Sequence, residues 1–247
     1  MLNIVLADMF RLTKGKSTPI FIGVSSLIFV MAMMLSGISV GPSQFNLILV
    51  SGLSVVSIII SVNSVIRVYC DDVSSGSIHH LFAKMSNKIY YLIAKSIVLA
   101  IYTLFCFLAF GIVFFVIMTI KTKGFEGGFT SYVSIATLVS FSLKAFIGSF
   151  AMTMVSYNIL VLTRKSGLTI LFISLYSTNF IDSTVELLSL LVKPLKYIKE
   201  YMLTTYYMDA MYGVRSLFQL FIVALSYVAF SFILQLLILK NRDFATE

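Results

Sequence analysis

The chain has 247 residues, 59% hydrophobic and 11% charged, with a mean hydropathy of +1.01. A water-soluble domain carries about 25% charged residues and tolerates only small exposed apolar patches, so this composition selects an integral membrane protein that spans in helices. The net charge of +8 does not indicate nucleic acid, because the basic residues lie mainly in short loops between apolar runs, where they set orientation.

The chain opens on residues 3–16, NIVLADMFRLTKGK. Asp8, Arg11 and Lys14 recur every three residues along one side of a helix, while Ile4, Val5, Met9, Phe10 and Leu12 cover much of the rest. The pattern predicts an amphipathic helix lying in the membrane interface; the plainer alternative is a frayed basic tail. An apolar run follows from Pro19 to about Val40. It exceeds the hydrophobic region of a signal peptide and is read as the first span.

Six spans are expected in all, near 19–40, 45–66, 90–120, 131–162, 166–191 and 215–239, each reaching the ~20 residues that cross a bilayer. Gly41, Pro42 and Ser43 form a tight turn between the first two. The third and fourth runs are longer than needed and must tilt, kink or project. Asp182 and Glu186 interrupt the fifth. A helix ending near Phe180 and a second from 183 to 192 fit that run better than one straight span. The expected fold class is an all-α integral membrane protein with one membrane domain over 1–247.

With the N-terminus inside, eleven Lys and Arg fall in cytoplasmic segments and six outside, with Lys144 uncounted within the fourth span. That bias predicts both termini in the cytoplasm. It also puts inside the longest polar interval of the first half, Asp71–Lys95, DDVSSGSIHHLFAKMSNKIYYLIAK. The segment 192–214 then faces outward. Its Tyr197, Tyr201, Tyr206, Tyr207 and Tyr212 suit an interfacial aromatic belt or an outer lid over an exit path. Lys144 is costly inside a bilayer and either lines a water-filled path or snorkels to a headgroup. Asn63, Asn158 and Gln235 are expected to bond between helices.

No catalytic residue and no metal site emerge. Gly15-Lys16-Ser17 is the only GKS tripeptide, and a phosphate-binding loop would need Gly where Phe10 stands. The chain is therefore not expected to hydrolyse ATP. His79 and His80 are adjacent, pointing about 100° apart in a helix, so they lack the i, i+4 spacing of a zinc pair. Cys70 and Cys106 fall at a membrane edge and inside a span, which does not suggest a disulfide framework. An intramembrane enzyme would need paired catalytic residues at helical spacing, which are not found. An ion-coupled carrier would need buried acids within spans, and the acids lie mostly at span edges.

The interval after span two resembles that of the ABC-2 type permeases, the membrane subunits of a class of ATP-driven exporters. The family pattern there is an acidic residue or two, Gly-Thr, a leucine-rich turn, a Pro, a basic residue and a Lys beginning span three. This chain has Asp71 and Asp72, Gly76-Ser77, Leu81 and Phe82, then Lys88 and Lys95 at the same spacing, with Met85 in place of the Pro. The N-terminal segment is similar to the family's elbow helix. The ending Lys240-Asn241-Arg242-Asp243-Phe244 is similar to its basic C-terminal end.

The resemblance implies a type V exporter-like fold, with a cytoplasmic coupling helix near 71–88 seated in a separate nucleotide-binding ATPase subunit. Asp71, Asp72, Gly76, Ser77, His79, His80, Lys84 and Lys88 are then the expected coupling residues. Arg164 and Lys165 would form a second, lesser contact. ATP and Mg would sit on the partner, with no cofactor in this chain. A second membrane subunit, identical or homologous, would complete the unit in a bacterial cell membrane. Small size and the absence of a large outer domain are most similar to permeases of Gram-positive exporters of amphipathic, phenol-soluble modulin-like peptides. Relatives of those act in bacteriocin and lantibiotic self-immunity.

Overall fold

The computed structural model describes residues 2–14, 20, 23–24, 27, 56–57, 59–70, 72, 88–121, 135–163, 165–177 and 180–241. Every regular element among them is helical. In order they are α1 (Leu2–Lys14), α2 (Ile59–Tyr69), α3 (Lys88–Lys121), α4 (Ile135–Thr163), α5 (Ser166–Ser177), α6 (Phe180–Ser189), α7 (Leu195–Glu200), α8 (Leu203–Met211) and α9 (Leu217–Asn241). The end of α2 widens into a π-helical turn, Ile66–Cys70.

Three of these helices are long and apolar enough to cross a membrane: Ile89–Val113 in α3, Ala136–Thr163 in α4 and Leu217–Ile238 in α9. They match the third, fourth and sixth expected spans. The fifth is broken. Gly167–Tyr176 and Phe180–Ser189 are bent by 60° and make a fourth span only if taken together. The break falls between Ser177 and Phe180, a little earlier than expected, so Asp182 lies in the first turn of α6 and not ahead of it. A helix N-terminus favours an acid there, through its free N–H groups and positive dipole end. Of the expected second span, residues 56–57 and 59–66 are described, and the expected first span lies largely outside the described residues, as does the expected turn at 41–43. The described residues thus establish an all-α membrane protein with three to four candidate spans.

The centre is α4. Of its most apolar stretch 67% is buried against protein, compared with 17% for α9, so α9 flanks it and leaves Phe218, Leu225, Phe230 and Ile233 exposed. Lipid supplies no hydrophobic drive between helices, so close approach and polar contacts must hold them. Small residues on α4 allow the approach: Ala145, Ser149 and Ala151 are fully buried. The Ser149 hydroxyl reaches the Ser57 carbonyl at 3.4 Å, and the Ser61 hydroxyl reaches the Ser149 carbonyl at 3.3 Å. Two of the expected interhelical amides are made. Asn63 donates to the Tyr102 hydroxyl at 2.6 Å, tying α2 to α3, and Gln235 donates to the Met154 carbonyl at 3.3 Å, tying α9 to α4.

The amphipathic reading of α1 needs one correction. Asp8 does not face water with Lys14; it is buried beside Val5 and Leu12, while Leu6 and Phe10 are exposed. The side chains that α1 turns toward the bundle therefore include a charge, and that charge has a partner.

Candidate functional site

The partner of Asp8 is Lys95, in the second turn of α3. Its ammonium lies 2.6 Å from Asp8 Oδ2 and is also ion-paired with Asp72 Oδ2. Arg11 closes the group, with its guanidinium 2.7 Å from Asp72 Oδ1 and 3.5 Å from Asp8 Oδ1. Two acids and two bases alternate, so the quartet is formally neutral. The Lys95 and Asp72 side chains are 1% and 3% exposed. A buried charge is tolerated when it is paired and its remaining sites are hydrogen-bonded, and both conditions hold. Lys95 also donates to the Val68 carbonyl at 3.3 Å, and Tyr91 donates to Asp72 Oδ2 at 3.0 Å.

Local sequence explains the convergence. Asp8 and Arg11 are three apart on α1, and Tyr91 and Lys95 four apart on α3, so each pair shares a helix face. Two carbonyls of the π-helical turn at the end of α2, those of Arg67 and Val68, accept from Arg11 at 3.4 Å and from Lys95. Below the quartet, Tyr69 stacks on Tyr157 of α4 with ring centroids 3.6 Å apart and planes 19° apart. Four elements thus meet here: α1, the end of α2, the start of α3 and α4. Burial by itself would push the Asp72 carboxyl pKa up. The nearby Lys95 charge and the hydrogen bonds from Lys95 and Arg11 outweigh it, holding the pKa below the ordinary aspartate value of 3.8.

A second polar constellation lies toward the other end of α4. Lys144 donates to the Ala210 carbonyl at 2.6 Å, in the last turn of α8. At the opposite end of α8, Asp182 accepts from the Thr204 hydroxyl and, at 3.0 Å, from the Thr205 hydroxyl. An anion at the helix N-terminus and a cation at its C-terminus both match the macrodipole. Between them Tyr207 is buried, its hydroxyl 2.8 Å from that of Ser57 and its ring against Gly148. Gly148 has to be glycine, because a Cβ there would collide with the ring. Gly213, at φ +81°, ends the α8 segment in the left-handed conformation that glycine adopts without strain.

Sequence reasoning placed Lys144 on a path or at a headgroup; its ammonium here bonds the last turn of α8. The tyrosines of 192–214 divide. Tyr197, Tyr201 and Tyr212 are exposed, as a belt requires, whereas Tyr206 and Tyr207 are packed inside.

Of the expected coupling residues, Asp72 is enclosed within the quartet, Lys88 begins α3, and Lys165 is exposed between α4 and α5, its carbonyl accepting from the Thr169 N–H. Asp71, Gly76, Ser77, His79, His80, Lys84 and Arg164 lie outside the described residues. Lys14 is exposed, its ammonium 4.4 Å from the Phe10 ring centre. Among the described residues no group of three or more His, Cys, Asp or Glu could hold a metal. Sequence reasoning missed Tyr69, Tyr91 and Tyr157 beneath the quartet and Thr204 and Thr205 beside Asp182. The i, i+4 spacing of Tyr91 and Lys95 was the one available signal. No protein-family model and no curated protein matches the chain.

Proposed function

We propose that the chain is the membrane subunit of an ATP-driven exporter of the ABC-2 type, with six spans and both termini in the cytoplasm of a bacterial cell. The observation that carries this reading is the quartet. It fastens α1 to the end of α2 and the start of α3, on either side of the polar interval 73–87. A push delivered to that interval by another protein would move these elements as one piece instead of dissipating in loose chain. In this reading α1 is the elbow helix, 71–88 the coupling helix, and Arg164-Lys165 the lesser contact. Asp72 then serves as the internal fastening, and Asp71, Gly76, His79, His80, Lys84 and Lys88 meet the motor.

ATP hydrolysis belongs to a nucleotide-binding partner, which carries ATP and Mg, and a second membrane subunit completes the path. The cargo proposed is an amphipathic cytolytic peptide, a short helix that partitions into lipid; bacteriocin or lantibiotic self-immunity is the neighbouring role. The test is affinity purification from the native membrane followed by vesicle transport. A soluble subunit bearing a phosphate-binding loop should copurify, and Asp71→Lys or Gly76→Trp should leave ATP hydrolysis running while stopping export of a labelled peptide. Normal export by both variants rules the coupling helix out.

One observation favours a second reading, an ion-coupled carrier without a motor. Asp182 is buried in a bent helix pair, and its Oδ1 has no hydrogen-bond partner among the described residues. Intramembrane acids often serve ion pathways. Export that persists with a hydrolysis-dead ATPase subunit would select this alternative.

A further inference from the structure

A helix as short as α8 is marginal by itself in water. It has nine residues, and six of them are buried: Leu203, Thr204, Tyr206, Tyr207, Ala210 and Met211. Its order comes from its seat, which is made from three different elements. Asp182 of α6 holds the N-terminal turn, Lys144 of α4 holds the C-terminal turn, and Ser57 of the second span holds the Tyr207 hydroxyl in the middle. Met202 precedes the helix in an extended conformation, with ψ 136°, and Gly213 follows it at φ +81°.

We infer that α8 is a removable plug, seated between the second span and α4, and that Lys144 is its latch. The seat is built for release. Beside the packing of Tyr207 on Gly148, α8 is held by polar contacts, a hydroxyl pair at its centre and a charged side chain at each end, all of which water can replace when the helix withdraws. Lys144 and Tyr157 lie on the same rigid helix, thirteen residues and about 20 Å apart at 1.5 Å per residue. Tyr157 stacks on Tyr69 at the quartet. Movement of the quartet end of α4 therefore reaches the Ala210 carbonyl through Lys144, while Asp182 stays with α6. Sliding α4 against α6 strains the two ends of α8 in different directions and draws Tyr207 off Gly148. The purpose of such a plug rests on the permease reading, but its existence does not, and its test needs no motor.

The test is thiol accessibility in membrane vesicles, with a water-soluble, membrane-impermeant maleimide presented to both faces. Cys70 and Cys106 are first replaced by Ser. Ser57→Cys then reports the seat, since Ser57 is 1% exposed beneath Tyr207, and Val98→Cys, at a fully buried position of α3, reports the rest of the fold. Adding Lys144→Met removes one charge-assisted hydrogen bond, which should raise labelling at 57 by about tenfold or more. Labelling at 98 should stay at background, and Lys144→Arg should restore protection at 57. Unchanged labelling at 57 overturns the inference. So does equal labelling at 57 and 98, because the lysine would then be supporting the fold in general and not latching one helix.

Discussion

Lys95 and Asp72 form an ion pair from which water is excluded, their side chains being 1% and 3% exposed. A pair of this kind adds little net stability over an apolar replacement, but breaking it from one side leaves an uncompensated buried charge. Lys95→Met should therefore destabilise the protein by about 3–5 kcal/mol, read as a lower thermal midpoint in detergent. Combining it with Asp72→Asn leaves Asp8 and Arg11, one acid and one base. The double variant should be more stable than Lys95→Met alone, and a double variant showing the full sum of both losses would mean that the two residues are not coupled.

Arg11 is the wet member of the quartet, with a side chain 40% exposed. Solvent screens it, so Arg11→Ala should cost only about 0–1 kcal/mol. Its effect should shrink further in high salt, whereas that of Lys95→Met should not. Equal salt dependence for the two variants would contradict the burial difference.

The quartet also sets a pH window. The Asp72 pKa is held below 3.8 in the folded protein, so its folded value is depressed relative to the unfolded chain. Its contribution is present in full above the ordinary aspartate range and disappears as pH falls through the folded value. Thermal stability should thus show no loss assignable to Asp72 between neutral pH and about pH 5, and a loss below about pH 4 that Asp72→Asn lacks. An Asp72-dependent loss near neutral pH would place the carboxyl in a different environment.

Near the middle of α4, Gly148→Ala forces a methyl into the Tyr207 ring. Overpacking of this kind costs about 1–3 kcal/mol. Tyr207→Phe, which keeps the ring and loses the bond to Ser57, should cost about 0.5–1.5 kcal/mol. If the ring is the obstacle, Tyr207→Ala should relieve much of the Gly148→Ala penalty. Purely additive losses in that pair would argue against the contact.

The spans were legible because a bilayer demands length and continuous apolarity, and both are written into α3, α4 and α9. Asp182 and Glu186 signalled the broken fifth run, and the break lies just ahead of Asp182, between Ser177 and Phe180. What did not read out was the partnership of charges. A carboxylate on an amphipathic helix looks like a solvated residue until the tertiary fold brings Lys95 to it, and the i, i+4 spacing of Tyr91 and Lys95 is the only local mark of that meeting. Lys144 stood out in the sequence as a cation within an apolar run. Its acceptor is a backbone carbonyl of Ala210, which no side-chain pattern announces. The tyrosines of 192–214 look alike in sequence, and only the seat formed by Gly148 and Ser57 separates Tyr207 from the exposed Tyr197 and Tyr212.

The central claim is that the quartet passes work from a partner ATPase into the spans, and transport measured together with hydrolysis tests it most directly. Inverted vesicles holding this chain and the proposed nucleotide-binding partner would be supplied with ATP and a labelled amphipathic peptide, comparing the parent with the Lys95→Met, Asp72→Asn double variant. ATP hydrolysis should continue while peptide uptake falls to background. Uptake at the parent rate by the double variant would contradict the claim.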